Sequence, residues 1–130
     1  MIDVEKTIKY WQTTAQDDSK AMDCLFAGKH YANSLFFGHL VLEKILKALV
    51  VKETKKQASY THDLVRLYKL ANIELSQDQI DLLYQVNEFN IRARYPDEKF
   101  RFHKQCTKEY TENYLTKIKN LYDVLCQKLT

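Results

Sequence analysis

Glycine and proline are nearly absent: the 130 residues contain two glycines and one proline. Tight turns draw on both residues. A sheet of short, hairpin-linked strands is therefore disfavoured, and long helices with few connections are expected. With only Gly28 and Gly38 available, a glycine-rich phosphate loop of the Walker or Rossmann type is excluded. Cysteine is sparse as well. Cys24, Cys106 and Cys126 form an odd, widely spaced set with no Cys-x2-Cys pair, which reads as reduced thiols in a cytoplasmic protein. His30, His39, His62 and His103 lack the close spacing of zinc-ligand pairs, so no metal and no other cofactor is expected. No stretch approaches the roughly 20 apolar residues of a membrane span. The start, Met1-Ile2-Asp3-Val4-Glu5, has neither the basic opening nor the apolar run of a signal peptide, so no membrane partner is expected. The net charge of +3 is too small to diagnose nucleic-acid binding, although positive charge gathers at Lys52–Lys56 and Arg92–Lys104. Either run reads as a solvated face or as a local attraction for phosphates.

What is present is helical periodicity. The length suits a single domain spanning residues 1–130, and the hydrophobic fraction of 45% suffices for one core. Val4, Ile8, Trp11, Ala15, Met22 and Leu25 recur at steps of three and four, interrupted by Asp18, and predict a helix from about Asp3 to Phe26 stopped by Gly28. Tyr31, Leu35, Gly38, Leu42, Ile45 and Leu49 predict a second helix from Tyr31 to Lys52. Its interior glycine costs about 1 kcal/mol relative to alanine and implies close approach of a neighbour. Glu43 precedes Lys47 by one helical turn, the favourable order for an ion pair. Residues 53–60 read as an exposed basic loop. Thr61 is the expected cap of a short third helix with Leu64, Leu67, Tyr68 and Ala71 inward. Ser76 and Gln79 form a capping box for a fourth, carrying Ile80, Leu83, Tyr84, Asn87 and Ile91. Pro96 breaks that pattern, leaving Arg92 to Cys106 irregular, polar and basic. Thr107 caps a last helix with Tyr110, Tyr114, Ile118, Leu121, Leu125 and Leu129 inward. The expected class is all-α: an up-down four-helix bundle with an additional short helix.

Candidate chemistry concentrates between Asn87 and Asp97. Arg92 and Arg94 carry forks suited to phosphate oxygens, and Tyr95 offers a face for a stacked base. Arg94 can equally serve the fold by pairing with Asp18, an acid on an apolar stripe that needs a partner. His62 reads as a capping histidine or as a donor to the same polar cleft. His103 reads as a solvated loop residue, or as the proton-moving half of a metal-free RNA-cleaving pair with Arg94. Cys106, beside Lys104 and near His103 at a helix start, is a half-buried helix-end thiol or an activated one.

Taken in order, these motifs resemble the HEPN domain (higher eukaryotes and prokaryotes nucleotide-binding). The matching pieces are Trp11…Ala15…Asp18…Ala21; Gly28-Lys29-His30-Tyr31-Ala32-Asn33-Ser34; His39-x3-Glu43-Lys44-x2-Lys47-Ala48-Leu49; Thr61-His62-Asp63-Leu64-x2-Leu67; Leu83 through Asn87; and Ala93-Arg94-Tyr95-Pro96-Asp97. The resemblance implies a homodimer paired with a minimal nucleotidyltransferase, often as a toxin–antitoxin module, with a nucleotide or RNA bound through Arg92, Arg94, Tyr95, His62 and Lys47. Many such proteins are metal-independent endoribonucleases whose signature is an arginine, four to six residues, then a histidine. From Arg94 those positions hold Lys99, Phe100 and Arg101. His103 falls outside the window, so the signature is absent as written. A binding module is the leading expectation. A ribonuclease toxin using Arg94 and His103, and a ligand-free adaptor bundle, are the alternatives.

Overall fold

Side-chain caps mark where α-helices begin at four of six starts. A computed structural model describes residues 1–130 and contains six helices. α1 spans Val4–Ala27, its first turn closed by the Asp3 carboxylate accepting from the Lys6 amide. It ends in a Schellman closure: the Lys29 amide donates to Phe26 and the His30 amide to Leu25. The left-handed residue there is Lys29, at φ 66°, and not Gly28. Gly28 answers a different need, since a Cβ on it would lie 3.2 Å from the His30 ring.

α2 spans Tyr31–Thr54 and α3 spans Leu64–Ala71. The cap of α3 is Asp63, whose carboxylate accepts from the Val65 and Arg66 amides. Thr61, the expected cap, instead accepts from the Asp63 amide just upstream of the helix; the better acceptor, two residues on, took the helix end. α4 spans Gln77–Arg94 and begins with the expected capping box between Ser76 and Gln79. α6 spans Lys108–Gln127 and is capped by Thr107 as expected.

The stretch expected to be irregular is a helix. α5 spans Pro96–Gln105 with proline at its first position, where the missing N–H costs nothing and the fixed φ is already helical. Asp97 and Glu98 sit in its first turn and His103 and Lys104 in its last, the arrangement the helix dipole favours. Phe102, 1% exposed, anchors it and stacks on Phe89 of α4 at 5.4 Å between centroids.

α2 is the axis of this all-α bundle. It packs on α1, α3, α4 and α6 and touches α5, which explains why its apolar residues run almost all round the helix. α1, α2, α4 and α6 are the long members, and there are two short helices, α3 and α5. At Gly38 the approach of neighbours is as close as expected. A Cβ there would lie 2.8 Å from Cδ1 of Ile118 in α6 and 3.5 Å from Sδ of Met22 in α1. α4 is rotated relative to its expected face. Leu82, Leu83, Val86, Phe89 and Asn90 are buried, while Tyr84 and Ile91 are 55% and 49% exposed. Two overlapping stripes share Leu83, and packing against α2 and α5 selects the one that carries Phe89.

Candidate functional site

A polar column runs along the otherwise apolar α2. His39, Glu43 and Lys47 lie one turn apart on one side of that helix, all buried. The Lys47 ammonium donates to Glu43 Oε2 at 3.1 Å and lies 5.1 Å from the centre of the Trp11 ring. The other carboxylate oxygen, Oε1, faces His62 Nδ1 at 2.8 Å, so that nitrogen carries the proton Glu43 accepts. His39 Nε2 lies 2.8 Å from the His62 carbonyl. A carbonyl can only accept, so His39 carries its proton on Nε2. Its Nδ1 is then a bare lone pair, buried without a partner. Burial pushes the His39 imidazole down from 6.5 to about 4. The Glu43 carboxylate and the His62 carbonyl oppose the shift, and the His62 and Arg94 charges add to it.

The expected Arg94–Asp18 pair does not form. Asp18 Oδ2 meets Lys44 Nζ at 2.6 Å, because α1 and α2 pack side by side and Lys44 faces that seam. Arg94 Nε donates to Asn90 Oδ1 at 2.7 Å, one turn back on α4. Arg92 is tied on several sides. Its Nη1 donates to Gln105 Oε1 at 2.6 Å, its Nε lies 3.5 Å from Glu98 Oε2, and its guanidinium lies 4.9 Å from the Phe102 ring centre. It fastens α5 to α4.

The sequence candidates divide between two clefts and the core. Arg94 and His103 line one small cavity of about 170 Å³ between α2, α4 and α5, together with Lys99, Asn33, Phe36 and Phe102. His62 opens into a separate cleft of about 300 Å³ on the α3–α4 side, with Tyr84, Asn87, Glu88 and Ile91. Lys47 is 7% exposed, with its charge engaged inside. Tyr95 is 61% exposed at the α4–α5 junction, close in sequence to the Arg94 cavity. Lys99, Asn90 and His39 are not among the residues that the sequence nominates for the site. A polar residue every fourth place on an apolar helix was the signal for His39, and Asn90 stands one turn before the arginine it holds. Cys106 is a buried thiol whose burial pushes it up to about 12, against the pull of the Arg92 charge. It is not an activated nucleophile. No three histidine, cysteine or carboxylate side chains come together as a metal site, and no helix is long and apolar enough to cross a membrane.

An all-α bundle with a basic cavity between its second, fourth and fifth helices is the class this geometry defines. Residues 8–129 match the model of the HEPN domain, and the chain belongs to the HEPN family. Among solved structures it is similar to TT1696 from Thermus thermophilus, with a TM-score of 0.78 and 19% identity over 94% of this chain and 98% of that one. A likeness at that identity is one of fold. No curated protein sequence matches.

Proposed function

We propose that this HEPN chain binds the phosphate of a nucleotide or of single-stranded RNA in the Arg94 cavity, working as a homodimer beside a minimal nucleotidyltransferase. The observation that carries this reading is the lining of that cavity: Arg94, Lys99 and His103 around a space of about 170 Å³. The space suits a phosphate group better than a whole nucleotide. No carboxylate lines the cavity, and Glu98 on α5 is engaged by Arg92 and Arg101, which leaves the cavity cationic. Tyr95, next to Arg94 in sequence and 61% exposed, would supply a face for a base. The exposed apolar residues Tyr84 and Ile91 on α4 and Tyr95 just past its end suit pairing with a second copy. Fluorescence anisotropy with a labelled uridine oligonucleotide tests the binding. Arg94→Ala should weaken it at least about tenfold, and unchanged affinity would remove the cavity from consideration. Light scattering should give twice the chain mass; a strict monomer at micromolar concentration would sink the dimer.

A second reading, RNA cleavage, is favoured by one observation. His103 lines the Arg94 cavity although eight residues separate the two in sequence. The α5 helix lets this longer spacing reach one space. His103 would move the proton of the attacking hydroxyl and Arg94 would stabilise the charge developing on phosphorus. Cutting of single-stranded RNA in chelator, abolished by His103→Ala, is the expected result. Intact RNA after long incubation at high protein concentration leaves binding as the function.

A further inference from the structure

The two arginines at the end of α4 are held in opposite ways. Arg92 faces the Glu98 carboxylate, which offsets its charge. Arg94 has no carboxylate within ion-pair distance, and its one side-chain partner is the neutral amide of Asn90, through Nε at 2.7 Å. An amide acceptor fixes the plane of a guanidinium without cancelling its charge, and bonding through Nε leaves the Nη edge available for a bidentate oxyanion.

Asn90 is itself packed from behind. It is buried, and only its oxygen can accept from Arg94, so its Nδ2 must point inward. There it lies 3.5 Å from Nε2 of His39, which is also a donor, so the two groups pack against each other without a hydrogen bond. That ring is buried and held by its bond to the His62 carbonyl. The chain of contacts therefore runs from the loop before α3, through His39 of α2 and Asn90 of α4, to the arginine of the cavity.

We infer that Asn90, packed against His39, is a positioning residue that presents to a phosphate group an Arg94 fork whose charge no carboxylate offsets. This rests on the phosphate reading of the Arg94 cavity. A double-mutant cycle with the labelled uridine oligonucleotide separates the two ideas. Arg94→Ala tests the cavity. Asn90→Ala should weaken binding by roughly tenfold in the wild-type background and leave it unchanged in the Arg94→Ala background, because its effect acts through that arginine. Asn90→Asp supplies a readout that a structural role would not move. The carboxylate still accepts from Nε, so the fold is kept, but it neutralises the guanidinium and affinity falls as in Arg94→Ala.

If Arg94→Ala weakens binding while Asn90→Ala does not, or Asn90→Ala weakens it equally in both backgrounds, the positioning role is wrong and the cavity stands. Wild-type affinity in Asn90→Asp would likewise overturn it. If Arg94→Ala itself has no effect, the cavity reading falls and the positioning role falls with it. Asn90→Ser carries the same comparison should the alanine variant unfold, and the Arg94 Nε–H resonance reports the contact without ligand: protected from exchange in the wild type, exposed in both Asn90→Ala and Asn90→Ser.

Discussion

Acidification should destabilise this protein through one buried imidazole. His39 is 0% exposed and its folded-state value is lowered from 6.5 to about 4, so the neutral ring is the one the fold accepts. On lowering the pH the unfolded chain takes up the proton first. The stability that His39 contributes is therefore complete above about pH 6.5 and is lost progressively as the pH falls towards 4. Across that window the separation corresponds to about 3 kcal/mol, of which about 2 kcal/mol is gone by pH 5. Carboxylates titrate over part of the same range, so the wild type alone is not diagnostic. His39→Gln supplies the control: its amide N–H can reach the His62 carbonyl in place of Nε2–H, and it does not titrate. Urea denaturation of both proteins at pH 7 and pH 5 should show the wild type losing about 2 kcal/mol more than the variant. Equal losses would refute the account, because they would mean that the imidazole is as free to protonate in the fold as in the unfolded chain.

The Glu43–Lys47 pair should behave as a buried ion pair. Lys47→Met alone leaves the buried carboxylate with His62 as its remaining hydrogen-bond partner and should cost about 3 kcal/mol, whereas Glu43→Gln with Lys47→Met should recover part of that loss, both read from urea midpoints. At Gly38, alanine gains helix propensity but drives its methyl against Cδ1 of Ile118. Gly38→Ala should be destabilising by about 1 kcal/mol, and in an Ile118→Val background, where that Cδ1 is gone, the same change should become stabilising; a loss of equal size in both backgrounds would mean the contact is not the cause. Arg92→Ala should free α5, seen as faster amide exchange confined to Pro96–Gln105, with global stability lowered by less than about 1 kcal/mol.

The parts of the fold legible in the sequence are those written in a few consecutive residues. The Ser76–Gln79 box, the Thr107 cap and the long stripes of α1, α2 and α6 all follow from neighbours within one or two turns, and the chain alone determines them; Gly38 signals a close approach, but which helices make it is tertiary. α5 is legible in principle, since proline, two acids, then histidine and lysine are the start and end signals of a helix. Reading proline only as a breaker hides them. The rotation of α4 is not legible, because Leu83 belongs to two apolar stripes and only packing chooses between them.

The site needed the tertiary structure throughout. Asp18 and Arg94 are each short of a partner on paper, and opposite charge suggests pairing them. Packing gave Asp18 to Lys44 across a helix seam and Arg94 to Asn90 on its own helix. Glu43 and His62 stand 19 residues apart and meet at 2.8 Å, a contact no local pattern encodes. Ordered motifs along the chain were enough to determine its class and its family. Which arginine lacks a carboxylate partner, and that His103 shares its cavity, was decided only in three dimensions, because both depend on how helices rotate against one another.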